Sequence, residues 1–273
     1  MRSGREGDSS VCDLVETKPT PKSRVSFEEF LDWCDEDTWA EWVDGEIVLM
    51  SPASSRHQLI GGFLHKVLGF YIEIRHLGTL LYAPFAMHLP FVRRGREPDL
   101  LYIASEHAGR LKDTYLDGPA DVVVEIVSED SVFRDYHNKF REYKRAGVPE
   151  YWLINPLEEE ARFYRLSESG RYKRIPLEGK NLFHSQEIEG FWLKVSWLWE
   201  IPLLDTYEVL QEIMPEMQTE VLQREIAARR QAEAQARQEM MARRQAEQRA
   251  QQAEAELARL LAEIEQLRAQ QTH

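Results

Sequence analysis

Cysteine is scarce in this chain. Cys12 and Cys34 are the only two in 273 residues, which argues against a disulfide framework and against a cysteine-rich zinc cluster. Long apolar runs are missing too: no stretch reaches eighteen apolar residues, so a membrane-spanning helix is not expected. The segment Met1 to Arg24 is polar, with Ser, Gly, Pro and charge, and lacks the apolar centre of a secretion signal. It reads as a disordered leader. These absences suit a reducing cytoplasm and no membrane partner. Positive charge is also short, with 34 Lys and Arg against 47 Asp and Glu and a net charge of −13. Simple electrostatic binders of nucleic acid draw their affinity from Lys and Arg, so the balance speaks against one. There is no Gly-rich phosphate loop followed by Lys-Ser or Lys-Thr.

Apolar content of 43%, with 7 Trp, 10 Tyr and 11 Phe, is enough for a real core. Ser26 and Glu29 form a capping box that opens a short helix over Phe27 to Cys34. Asp44-Gly45 is a hairpin turn between Trp39–Val43 and Glu46–Met50. Ser54 or Ser55 caps a helix whose apolar positions run at helical spacing from Leu59 to Ile72, with Gly78 past its end. Within it, Gly61-Gly62 is expected to permit close packing. Strands are expected over Thr79–Ala83, Ala86–Phe91, Pro98–Ile103 and Asp121–Ser128; the last is a β-branched run suited to a strand buried on both faces. Ser131 to Ala146 reads as a helix stopped by Gly147, and Glu150–Ile154 as the next strand. Arg162–Leu166, Tyr172–Leu177 and Phe191–Val195 would complete an antiparallel flank. Trp39, Trp42 and Trp152 are expected in the core.

This order predicts an α/β fold, a mixed α+β sheet with helices against it. Three regions follow: a leader over 1–24, a globular domain over 25–210, and a long helix over 216–271. From Met217 to Gln270 no Gly or Pro occurs, and nine basic residues balance nine acidic ones beyond Met217. The negative excess therefore sits on the globular part. Heptad spacing is clear at Leu257, Leu260, Ile264 and Leu267, so the helix reads as a coiled coil joining copies of the chain or as a single charged helix.

Glu125 is the most unusual residue. It lies inside an apolar strand, where an ionised carboxylate costs several kcal/mol unless paired or bound to metal. Val123, Glu125 and Val127 share one strand face; Val122, Val124 and Ile126 share the other. A strand-edge Glu meeting solvent or an arginine is the plainer alternative. Asp99 opens the preceding strand after Pro98, which fixes the chain's entry. Lys139 stands four residues after Asp135, where an exposed ion pair is the ordinary reading. It also belongs to a basic strip of Arg134, Lys139, Arg141, Lys144 and Arg145 able to meet a phosphate backbone. Two carboxylates on neighbouring strands plus a lysine are what divalent-metal phosphodiester hydrolysis requires. Asp99 and Glu125 would hold Mg²⁺ or Mn²⁺, and Lys139 would orient water or stabilise developing charge.

Glu97-Pro98-Asp99-Leu100, Val124-Glu125, the Asp135 and Lys139 pair, and Gly147-Val148 leading into Glu150-Tyr151-Trp152 together resemble the PD-(D/E)XK nuclease superfamily. More closely, the chain resembles the bacterial Uma-two family of restriction-endonuclease-like proteins. The resemblance spans about Ser26 to Leu204 and includes the Asp44-Gly45-Glu46 hairpin, Ser51-Pro52 and Arg56-His57-Gln58. It implies a restriction-endonuclease-like core, with Asp99 and Glu125 at the family's metal-binding carboxylates. The superfamily lysine sits two residues after the acid, where this chain has Val127; the family places it on the following helix, where Lys139 stands. Glu46 and His57 also match recurring family positions, as a further metal or water ligand and as a phosphate contact.

Two functions remain open at this stage. One is a Mg²⁺-dependent DNA endonuclease built on Asp99, Glu125 and Lys139, supported by Glu46, His57 and Asp135. The other is a catalytically degenerate module of the same fold that binds or assembles through its C-terminal helix.

Overall fold

The computed structural model describes residues 20–215 apart from 22, 36, 37 and 180, together with 226–231, 235 and 241. The chain divides into two compact units, Met1–Ile213 and Met214–His273. Most of the leader and almost all of the expected 216–271 helix lie outside the described residues; 226–231 are helical.

The first unit opens with α1 (Phe27–Trp33), the hairpin strands β1 (Ala40–Val43) and β2 (Glu46–Leu49), and α2 (Ser55–Arg75). Then come β3 (Gly78–Tyr82), β4 (Ala86–Leu89), β5 (Arg94–Arg96), β6 (Leu100–Ala104), β7 (Tyr115–Asp117) and β8 (Val122–Ile126). A π-helical turn (Arg134–Lys139) runs into α3 (Phe140–Ala146), followed by β9 (Glu150–Asn155), β10 (Glu160–Leu166) and β11 (Tyr172–Arg174). The unit ends with β12 (Leu182–His184), β13 (Trp192–Lys194) and α4 (Thr206–Ile213).

Instead of one mixed sheet there are three among the described residues. Six strands order as β11-β10-β9-β8-β6-β3, five as β2-β1-β5-β4-β7, and β12-β13 form a separate pair. Only β8–β9 and β4–β7 are parallel. The strand expected at Phe191–Val195 therefore leaves the flank and pairs with β12. β5, β7 and β12 are three residues each, too short to show a periodicity.

Local chemistry explains the elements that carry the site. Ser26 and Glu29 close the capping box of α1. Asp44 and Gly45 both have positive φ, the geometry that makes Asp-Gly suit a two-residue hairpin. Ser54, not Ser55, caps α2 by accepting from the His57 amide. His76, not Gly78, takes the left-handed position after α2. β8 is buried at every residue, as its β-branched run requires.

Burial sorts by strand parity. Val123 and Val127 of β8's strip join Leu101, Ile103 and Leu153, which pack with Met87 and Leu89 of the second sheet and Tyr143 of α3. The opposite face of the six-stranded sheet meets α2, whose Ile60, Leu64, Val67 and Leu68 are buried. In β1, Ala40 and Trp42 face the Phe27 and Phe30 side chains of α1, which turns Glu41 the other way.

The close pairing of β3 with β6 depends on Gly78, whose φ is +156° and where an added Cβ would stand 2.1 Å from the Ile103 carbonyl oxygen. Gly78→Ala is expected to cost roughly 2–4 kcal/mol through backbone displacement. Urea unfolding of the variant measures this; a loss below about 0.5 kcal/mol would show that the pair tolerates the methyl group.

Candidate active site

Six elements from distant parts of the chain converge on one cleft of about 500 Å³. The antiparallel pairing of β6 with β8 sets Leu100 opposite Val124, and one step further along that register Asp99 lies beside Glu125. The Asp99 Oδ2 accepts from the Ile126 amide at 2.6 Å. The first turn of α2 brings His57, whose Nε2 is 3.3 Å from Asp99 Oδ1. Burial disfavours its charged form, but the hydrogen bond and charge of Asp99 outweigh this and raise the His57 pKa. His57 Nδ1 is buried without a hydrogen-bond partner.

Lys139 is not the exposed ion pair that its sequence position suggests. Its Nζ lies 2.8 Å from both oxygens of Glu125, 3.2 Å from Glu41 Oε1 and 3.8 Å from Asp135 Oδ1. The side chain is 2% exposed, so Lys139 is withdrawn from the basic strip read along Arg134 to Arg145. An α-helix over the whole of Ser131 to Ala146 is the simpler expectation; the structure instead has a π-helical turn over Arg134–Lys139, within which Asp135 and Lys139 are both buried. Tyr143, one turn on, donates to Glu125 Oε1 at 2.5 Å.

Glu41 and Arg96 complete the cluster, and neither stands out in the sequence. Glu41 is fully buried, and Arg96 Nη1 donates to its Oε2 at 2.6 Å. Arg96 Nε and Nη2 also donate to Glu142 of α3 at 2.9 and 2.7 Å. The signal for Glu41 was the one that marks Glu125, an acid between apolar neighbours. In a strand next to a turn, that alternation reads equally as a solvent-facing residue.

Negative charge is in surplus here. Burial pushes the Glu125 carboxyl up to about 8 against the pull of Lys139, and Asp135, Asp99 and Glu41 add to the rise. Burial and the Glu41 charge likewise push Glu97, at the cleft, up to about 8. Glu41 goes the other way: burial opposes its charge, yet Lys139 and Arg96 hold it down at about 2. Burial also raises Asp135, partly offset by Lys139; its Oδ2 accepts from the Ser131 hydroxyl. Asp135 Oδ1 and Glu41 Oε1 are buried oxygens that accept no hydrogen bond.

Of the residues singled out in the sequence, Asp99, Glu125, Lys139, His57 and Asp135 all line the cleft. Glu46 does not. It stands exposed at the hairpin turn, 3.9 Å from Arg24, because β2 is the edge strand and its turn-proximal residue meets solvent. Trp39 is also not core: it is 39% exposed and lines the cleft. Of Gly61-Gly62, only Gly61 packs closely, where a Cβ would stand 3.4 Å from Ile126 Cδ1; a Cβ on Gly62 would meet nothing within 4 Å. Among the described residues no group of three or more His, Cys, Asp or Glu is arranged to hold a metal ion. No described helix is long and apolar enough to cross a membrane.

Removing the ammonium strands three buried carboxylates. Lys139→Met is expected to lower stability by about 3–5 kcal/mol at neutral pH, read from urea unfolding. A loss under about 1 kcal/mol would mean that the carboxylates relax to solvent or take up protons at little cost.

Comparison with known proteins agrees with this architecture. A crystal structure described as that of "a putative nuclease belonging to DUF820" from Anabaena variabilis ATCC 29413 superposes with a TM-score of 0.53 at 15% identity. The match covers 64% of this chain and 97% of that one, and establishes a shared fold. No curated protein matches the sequence. The Uma2 family model, described as "Putative restriction endonuclease", matches residues 27–196, well over half of the chain. The span takes in every element of the cleft, and the chain belongs to the Uma2 family.

Proposed function

We propose that the protein is a metal-dependent endonuclease that hydrolyses phosphodiester bonds of DNA, with Asp99 and Glu125 as the metal-holding carboxylates and Lys139 as the catalytic lysine. The observation that carries this reading is the meeting of these three side chains, drawn from two strands and a helical turn, in one open cleft.

The donor set suits a hard divalent cation. Mg²⁺ keeps several waters and is commonly held by one or two carboxylates together with substrate phosphate oxygens, so three preassembled ligands are not required. The surplus of carboxylates over nearby ammonium and guanidinium groups supports the same reading, as do the buried oxygens of Asp135 and Glu41 that accept no hydrogen bond. Mg²⁺ or Mn²⁺ held by Asp99 and Glu125 would neutralise charge on the scissile phosphate and make an attacking water more acidic.

The chain's own groups do the rest. The Ile126 amide fixes the Asp99 carboxylate, leaving Oδ1 toward His57. Tyr143 and Lys139 orient Glu125. Lys139 adds positive charge where negative charge develops on the phosphate, and Glu41 keeps that ammonium in place. His57, its charged form favoured by Asp99, is placed to meet a phosphate oxygen at the cleft.

One observation favours the second reading, a non-catalytic module of the same fold. Both Glu125 oxygens are already engaged by Lys139 and Tyr143, an arrangement that a purely structural cluster would also adopt. In that case assembly through the 216–271 segment, as a homo-oligomer, would carry the function.

A plasmid-nicking assay separates the two. With Mg²⁺ or Mn²⁺ the wild type is expected to nick, EDTA to abolish nicking, and Asp99→Ala or Glu125→Gln to slow it at least about 100-fold. Undiminished nicking by both variants would remove these residues from the active site, and a folded wild type that never nicks would leave the module reading.

A further inference from the structure

The cleft has a second wall that phosphodiester chemistry does not use. Trp39, Leu49 and Tyr82, respectively 39%, 57% and 58% exposed, share the lining with Asp99 and Glu125. These are large apolar surfaces kept open to solvent beside a polar site. The Tyr82 ring stands edge-on to His65, with centroids 4.5 Å apart, and burial and the Lys66 charge lower the His65 pKa, favouring its neutral ring.

α2 contributes a bare stretch to the same lining. A Cβ on Gly61 would reach only Ile126 Cδ1, at 3.4 Å, and one on Gly62 would reach nothing within 4 Å. Two adjacent glycines weaken a helix interior, and contact with β8 bears on Gly61 but not on Gly62. Their effect is to leave room in the cleft.

Cations are few in this lining. Besides the buried Lys139, Arg134 is the only Lys or Arg there among the described residues. Duplex DNA presents a dense row of phosphates that binding surfaces answer with several Lys and Arg. Unpaired bases instead stack on aromatic side chains, largely regardless of sequence.

We propose that this cleft accepts an unpaired nucleobase of a single-stranded or frayed nucleic acid, stacked on Trp39 and Tyr82, with its neighbouring phosphate at Asp99 and Glu125. The inference rests on the nuclease reading and names its substrate class. The open floor at Gly61-Gly62 gives a planar base space beside α2, and a volume of about 500 Å³ is ample for one nucleotide.

Fluorescence anisotropy in EDTA tests binding apart from cleavage. The probes are a fluorescein-labelled oligothymidylate of about 20 nucleotides and its duplex with oligoadenylate. The single strand is expected to bind at least about ten times tighter than the duplex. Trp39→Ala and Tyr82→Ala should each weaken single-strand binding about 5- to 150-fold, with Trp39→Phe within about threefold of wild type. Equal or tighter duplex binding by the wild type overturns the proposal and needs no variant. Unchanged single-strand affinity in both alanine variants also overturns it. Metal-dependent plasmid nicking without a strand preference would sink this inference and spare the nuclease reading. Strand-selective binding that Trp39→Ala abolishes, with no strand ever cut, would do the reverse.

Discussion

The ammonium of Lys139 is the constraint on which the rest of the site depends. It is buried against Glu41 from the second sheet, Glu125 from the central strand of the first, and Asp135 from its own helical turn. Desolvating such a group is costly, and the cost is offset only when opposite charges sit close with good geometry. The chain therefore has to bring β1, β8 and the π-helical turn together for any one of these charges to be tolerated. Arg96 extends the same lock by bridging Glu41 to Glu142 of α3. A cleft bounded by a hairpin, a sheet end and two helices is held at its base by charge rather than by apolar packing alone.

The same cluster supports the proposal that the cleft holds a cation. Its carboxylates outnumber its unshared positive groups, and burial, with that imbalance added, pushes Glu125 and Glu97 up to about 8. A fold that needed only a structural knot could replace such a cluster with apolar residues at little cost and often with a gain. Keeping several acids beside an open cleft makes sense where a divalent ion and a phosphate neutralise one another there. On that proposal the overall charge of −13 counts less against nucleic acid, because the bound cation would meet the phosphate.

Much of this was legible before any coordinates. Glu125 declared itself as an acid inside a β-branched run, and Asp99 through the proline that fixes its strand entry. Lys139 was legible only in combination with the two acids and through the resemblance, since its spacing from Asp135 alone fits an exposed pair equally well, and its burial rests on partners from distant elements. Glu41 and Arg96 were hidden because their partners lie far away in sequence: each other on the neighbouring strands β1 and β5, Lys139 on the π-helical turn and Glu142 on α3. Trp39 carries a readable signal: it is two residues from Glu41, so the two share a strand face, while Trp42 belongs to the opposite one. Glu46 matches a recurring family position, but an edge-strand residue at a turn has no wall to face.

The central claim is that Asp99 and Glu125 hold a hard divalent cation, and isothermal titration of Mn²⁺ and Mg²⁺ into the metal-free protein tests it most directly. The account predicts saturable binding in the wild type that disappears in a folded Asp99→Ala variant. A folded wild type that takes up neither ion, or an Asp99→Ala variant that binds as well as the wild type, would contradict it.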